Sequence, residues 1–337
     1  AEEKEELPHQ LDAHSISLIS WVVEDEKLNF KTLSDKQAQE FMSVPIFAVR
    51  LYLSEIGATP KRLMCDANDK LTVPLENWAV LVTGLELTHM QLSLCRAMSG
   101  DIASLAGLVH LTFLNLSYTS VRGDIANLAG LVQLTRLGLQ HTSVSMVGDV
   151  ANLAGLMQLT HLYLSNTGVF GDVANFAGLV KLKELNFKNT KVSGDIVNLA
   201  GLTQLVHLGL SYTSVSGDIA NLAGLKQLTS LDLSSTGVIA NLAVLGDIAN
   251  LAGLMKLTHL YLNNTSVSGN VANVAGLVQL RELNLCKTKV AAPRTWPNYG
   301  NLHYRNAPAC RTLRTHCIFL KRISYRFRSQ RVAPSPI

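Results

Sequence analysis

A unit of about 23 residues recurs eight times in the body of this chain, opening at Gly100, Gly123, Gly148, Gly171, Gly194, Gly217, Gly246 and Gly269. A segment that short cannot bury its own apolar face, so each copy must be covered by the next, and the copies must stack in a line. That excludes an ordinary globular domain for the repeated region. The unit from Gly123 runs two residues longer, around Met146 and Val147; the unit from Gly217 is longer still, because Ile239 to Leu245 echoes the start of the next copy. Of the 337 residues 47% are apolar and 16% charged, which supplies a large core and excludes an intrinsically disordered chain.

Within each unit the informative stretch is Leu111-Thr112-Phe113-Leu114-Asn115-Leu116-Ser117-Tyr118-Thr119, repeated at Leu159 to Thr167, Leu205 to Thr213 and Leu257 to Thr265. This L-x-x-L-x-L pattern at this period resembles the leucine-rich repeat family. Two leucines two positions apart in a short strand point to one side and their neighbours to the other. The resemblance implies an α/β repeat solenoid, a leucine-rich repeat horseshoe whose concave wall is a parallel β-sheet. Eight strands about 4.8 Å apart give an inner arc of about 34 Å.

The return segment, Gly-Asp-Ile-Ala-Asn-Leu-Ala-Gly-Leu, is similar to the plant-specific class, whose units carry Gly-x-Ile-Pro after the strand. Alanine (Ala126, Ala151, Ala220) stands where that class has proline. Threonine (Thr119, Thr142, Thr167, Thr190, Thr213, Thr236, Thr265, Thr288) stands where it has an asparagine ladder. A hydroxyl offers fewer hydrogen-bonding groups than an amide, so the turn is expected to be satisfied less completely, and Thr190→Asn to be tolerated or stabilising.

Four segments follow from these patterns: an acidic stretch 1–27, a small domain 28–94, the repeats 95–290 and a basic tail 291–337. In 28–94, Leu28 to Ser34, Ala38 to Val44, the amphipathic Ile46 to Ile56, Lys61 to Cys65 and the apolar Val80 to Leu94 give the order strand, strand, helix, strand, strand. Phe30-Lys-Thr-Leu-Ser34 resembles the opening of the ubiquitin-like fold, which implies an α+β, β-grasp-like interaction module. The other reading makes Leu87 to Leu92 the strand of a degenerate first repeat and everything before it a capping domain.

The formal charge of +4 is unevenly spread: residues 1–30 hold eight acids against Lys4 and Lys27, while 291–337 hold eight arginines, Lys321 and no acid. The tail reads as a basic arm for nucleic acid or an anionic membrane through 311–331, as a cap in which Cys317 to Leu320 covers the last repeat, or as sequence foreign to the protein. Cys65, Cys95, Cys286, Cys310 and Cys317 are odd in number and unclustered, so no disulfide framework or zinc site is specified, and a reducing, cytoplasmic setting is expected. The first residues are acidic where a secretory signal is basic, and Ile16 to Val23 is too short to span a membrane.

Nothing in the chain carries a phosphate-binding loop, a zinc-protease helix, a nucleophile elbow or a dinucleotide fingerprint, so no catalytic residue and no cofactor is expected. The candidate binding surface is the outward side of the inner strands: Phe113, Arg136, His161, Glu184, His207, His259 and Glu282 in one column, with Tyr163, Asp232 and Tyr261 beside them and Tyr118, His141 and Tyr212 at the edge. Large side chains with polar tips are those that protein hot spots favour. The histidines fall on alternate strands, about 10 Å apart, too far to share a metal ion. The sequons Asn115 to Ser117 and Asn263 to Thr265 fall in inner strands and read as chance. The expected function is a non-enzymatic protein-binding scaffold working through its concave face. The alternatives are a receptor-like, membrane-associated ligand sensor and an RNA or anionic-membrane adaptor using the tail.

Overall fold

The computed structural model describes residues 13–20, 22–24, 27–31, 33, 35–65, 72–142, 145–236, 244–291 and 319–321. The repeats form the expected horseshoe. Each contributes a three-residue inner strand: β5 (Phe113–Asn115), β6 (Arg136–Gly138), β7 (His161–Tyr163), β8 (Glu184–Asn186), β9 (His207–Gly209), β10 (Ser230–Asp232), β11 (His259–Tyr261) and β12 (Glu282–Asn284). Each pairs in parallel with the next, in sequence order. Leu114, Leu116, Val121, Ile125, Leu128 and Leu131 are fully buried, so one unit sends side chains inward from strand, turn and return segment alike. Burying each aliphatic side chain stabilises the stack by about 1.5–3 kcal/mol.

The return segment turns inward through a short 3-10 helix, Ile125–Leu128 in the unit from Gly123, whose N-cap is Asp124. The Asp124 carboxylate accepts from the Ala126 amide at 2.8 Å. A proline at 126 would have no N–H to give, so the alanine that departs from the plant pattern is what lets the aspartate cap the turn. The same aspartate packs against the next unit's glycine: a Cβ on Gly148, at φ +123°, would lie 2.3 Å from Asp124 Oδ1. A Gly–Asp ladder therefore ties each unit to its successor. At the first unit Glu76 takes the aspartate's place, its carboxylate accepting from the Asp101 amide at 2.7 Å.

The threonine row is fully used. Thr119, Thr142, Thr167, Thr190, Thr213, Thr236, Thr265 and Thr288 each donate to the carbonyl three residues back, at 2.5 to 3.0 Å. The expectation of an under-satisfied turn is corrected at this bond, because the hydroxyl needs only one acceptor and finds it locally.

The two long units leave different marks. The extra residues before Gly148 divide the outer strands into two sheets, linked by the Asp149–Phe170 bridge and by the Gly168 amide donating to the Met146 carbonyl at 2.8 Å, while the inner sheet runs on without a step. Most of the Ile239 to Leu245 insertion lies outside the described residues, but on either side of it the inner strands β10 and β11 stay in register, Ser230 opposite His259.

The sheet continues before the first repeat. Between residues 13 and 91 lie helices α1 (Ala13–Ser20), α2 (Asp35–Met42), α3 (Ile46–Glu55) and α4 (Leu75–Val82), with strands β1 (Val23–Glu24), β2 (Lys27–Asn29), β3 (Arg62–Met64) and β4 (His89–Gln91) around them. Strands β2, β3 and β4 pair in parallel with one another and β4 pairs with β5, His89 opposite Phe113. The β-grasp order is thereby corrected: Ala38 to Val44, read as a strand, is mostly helix, and Val80 to Leu94 begins in α4. Phe41 is buried within α2 and Val44 just beyond its end, and an apolar run this short does not by itself distinguish a helix from a strand. Phe30 sits between Phe41 and Trp78, edge-on to each at 5.0 and 4.7 Å, and closes this end of the core.

At the other end β13 (Phe319–Lys321) lies antiparallel on β12. The rest of the tail, including most of 311–331, and the acidic residues 1–12 lie outside the described residues. Cys286 is disulfide-bonded, which departs from the expectation of a reducing compartment.

Candidate functional site

The concave wall is built from the residues flanking each inner leucine, and register sets its columns. Reading across the sheet, one column is Arg62, His89, Phe113, Arg136, His161, Glu184, His207, Ser230, His259 and Glu282. The second is Met64, Gln91, Asn115, Gly138, Tyr163, Asn186, Gly209, Asp232, Tyr261 and Asn284 in the same register. Ten of the thirteen residues proposed from sequence lie in these two columns. Tyr118, His141 and Tyr212 lie on the turns at one edge, all in the left-handed region at φ +60°, +53° and +57°.

Tyr163 and Tyr261 are not isolated contact residues. The Tyr163 hydroxyl donates to the Glu184 carboxylate and the Tyr261 hydroxyl to Glu282, each across a strand diagonal. Burial, and then the carboxylate, push both phenols up from 10.0. His161 Nε2 lies 3.7 Å from the same Glu184. His161, Tyr163 and Glu184 thus form one cluster, and His259, Tyr261 and Glu282 repeat its residue types. Asp232 is turned back on its own strand end, accepting from the Ser234 amide at 3.0 Å and hydroxyl at 2.6 Å.

Three histidines are oriented by the threonine before them. Thr88, Thr160 and Thr258 each give their hydroxyl hydrogen to a carbonyl of the preceding strand, at 3.2, 2.9 and 2.8 Å. The same hydroxyls lie 2.8, 2.7 and 2.8 Å from Nδ1 of His89, His161 and His259. Each ring is thereby held at Nδ1, which leaves Nε2 facing away from the threonine. His207 follows Val206 and lacks this anchor. Burial, then Arg62, holds His89 below 6.5; burial, then Arg136, does the same to His161 against the pull of Glu184.

The edge column, where the sequence placed Tyr118 and His141, carries a ladder of contacts that the sequence does not show. Tyr118 stacks on His141 with ring centroids 4.5 Å apart; Asn166 Nδ2 lies 3.1 Å from His141 Nε2, and Asn189 Nδ2 donates to Asn166 Oδ1 at 2.9 Å. All four residues hold positive φ, which asparagine tolerates better than tyrosine. The sequence reading passed over Lys31, Arg62, Met64, His89 and Gln91, which extend the concave face onto β3 and β4. With Phe113 and Arg136 they line a groove of about 490 Å³. The signal was present in Leu87-x-x-Met90-x-Leu92, the degenerate repeat. Among the described residues no group of three or more His, Cys, Asp or Glu could hold a metal ion, and no helix is long and apolar enough to cross a membrane.

The sequence matches no protein-family model and no curated protein. Solved structures match the fold. The leucine-rich repeat ectodomain of the plant membrane receptor kinase GASSHO1/SCHENGEN3 from Arabidopsis thaliana, in complex with CASPARIAN STRIP INTEGRITY FACTOR 2, is similar at 19% identity and TM-score 0.59, over 79% of this chain and 33% of that one. The Arabidopsis receptor kinase HAESA, in complex with the peptide hormone IDA and the co-receptor SERK1, is similar at 26% identity and TM-score 0.54, over 68% and 37%. A plant ice-binding protein is similar at 21% identity and TM-score 0.54, over 67% and 71%. The chain therefore spans well under half the length of the two receptor chains it matches. It has the leucine-rich repeat fold, a solenoid whose inner wall is a parallel β-sheet. The first of these is a receptor's ectodomain, so the similarity lends the expected cytoplasmic setting no support.

Proposed function

We propose that this chain is a non-enzymatic binding protein that takes a protein or peptide ligand along its concave face. The observation that carries this reading is the unbroken outward column from Arg62 to Glu282, in which aromatic, histidine and charged side chains stand on a rigid parallel sheet. Fold alone would not favour it, since a plant ice-binding protein shares the architecture. Support comes from the ligands named for the two receptors, a peptide hormone and an integrity factor, and from the pre-oriented histidines and tyrosines, which lose little freedom on binding.

A receptor-like ligand sensor is the form of this reading that the similar ectodomains and the Cys286 disulfide favour over an intracellular scaffold. The test is quantitative affinity capture on the full chain against the same chain carrying Tyr163→Ala, His207→Ala and Tyr261→Ala, at two salt concentrations. A protein retained by the first and lost from the second places binding on the concave face. Retention unaffected by the three changes but abolished by salt would move the site to the basic tail and overturn the reading.

A further inference from the structure

The concave face is electrically polar along its length. In the two outward columns, strands β3 to β6 carry Arg62 and Arg136 and no acid, whereas β8 to β12 carry Glu184, Asp232 and Glu282 and no lysine or arginine. The acids have donors built in: Tyr163 on Glu184, Tyr261 on Glu282, Ser234 on Asp232. The arginines do not. Among the described residues neither Arg62 nor Arg136 makes an ion pair, both are exposed, and each depresses the protonation of the histidine on the following strand. Between them His89 and Phe113 stack at 5.8 Å with rings 15° from parallel, forming an aromatic shelf inside the groove to which Lys31 also contributes.

We infer that this groove binds an acidic peptide segment, with one carboxylate on Arg62, one on Arg136 and an aromatic or apolar side chain on the His89–Phe113 shelf. The inference rests on the concave-face reading and specifies the ligand at one end of it. The spacing follows from the sheet. Arg62 and Arg136 are three strand steps apart, about 14 Å, and an extended peptide crossing the strands advances about 3.3 Å per residue, so its carboxylates stand four residues apart. Residues i, i+2 and i+4 of an extended segment share one face, which gives the pattern Glu-x-Phe-x-Glu. Charge complementarity on this pattern also rejects basic partners.

The test is fluorescence anisotropy on the full chain with three labelled peptides built on Glu-Ala-Phe-Ala-Glu, Gln-Ala-Phe-Ala-Gln and Lys-Ala-Phe-Ala-Lys in identical Gly/Ser flanks. Two partly exposed ion pairs should make the Glu peptide bind about tenfold more tightly than the Gln peptide, a margin that shrinks with salt. The chain carrying Arg62→Glu and Arg136→Glu should reverse the order and prefer the Lys peptide, while Lys191→Ala, exposed on an outer strand, should leave the Glu peptide within about twofold. Both arginines are exposed, and an unchanged melting temperature confirms that the double variant is folded. Equal affinity for the Glu and Gln peptides, no binding of the Glu peptide at all, or an order unchanged by the double substitution overturns the inference. So does arginine-dependent binding of a single-stranded oligonucleotide or of phosphatidylserine vesicles in place of the peptide. If a captured protein depends on Tyr163, His207 and Tyr261 while the peptides fail, the concave-face reading stands and this inference falls alone.

Discussion

The Tyr261 hydroxyl donates to the Glu282 carboxylate at 2.5 Å, and Tyr163 makes the same diagonal bond to Glu184 four strands earlier. Each pair couples two inner strands through the face that a ligand would meet. A neutral phenol is what the carboxylate needs, and burial together with that carboxylate keeps both phenols protonated past 10.0.

Ultraviolet titration of the folded protein should therefore show phenols that resist ionisation well above pH 10.0, and Tyr163→Phe with Tyr261→Phe should remove them. A phenol whose folded value is raised contributes stability that is intact below the unfolded value and lost as pH rises through the folded one. The pairs should accordingly stabilise fully at neutral pH and fade in strong alkali. Each Tyr→Phe change should cost about 1 kcal/mol, read from denaturant midpoints.

The Gly–Asp ladder makes a sharper forecast. A Cβ on Gly194 would lie 2.0 Å from Asp172 Oδ1, at φ +105°, whereas one on Gly201 meets nothing within 4 Å. Gly194→Ala should lose about 1–3 kcal/mol, and Gly201→Ala should stay near wild type in thermal unfolding. Equal melting temperatures for the two would remove the ladder's structural role.

Thr190 tests the turn. Its hydroxyl donates to the Phe187 carbonyl at 2.7 Å in a buried site, so Thr190→Val leaves that carbonyl without a donor and should cost about 1–3 kcal/mol. Thr190→Asn can still donate and should fall near wild type. A valine variant as stable as the parent would show that the row of hydroxyls is dispensable.

Acid should weaken the fold through His89 and His161. Both are held below 6.5, mainly by burial, so the unfolded chain binds protons that the folded one refuses. Stability then falls as pH drops below 6.5 and levels off beneath the folded values. His89→Gln with His161→Gln should flatten the melting temperature between neutral pH and pH 5, and a slope unchanged by the pair would assign the acid sensitivity elsewhere.

The repeat made the horseshoe legible because its contacts are local and identical: Leu114 and Leu116 meet their counterparts one unit away, so a period in the chain becomes a period in space. The same logic placed Phe113, Arg136, His161 and the other column residues on the outward side before any coordinates. It did not reach residues 28–94, where the short apolar run Ala38 to Val44 fits helix or strand and only packing beneath Trp78 decided, and so it left Arg62 and His89 off the surface they complete. Nor did it show that Asp124 caps onto Ala126 and abuts Gly148, or that Tyr163 reaches Glu184. Composition determined which side chains the inner wall carries. Which of them pair with one another, and which are left facing a ligand, was decided by strand register and close approach, relations between units that no single unit's sequence contains.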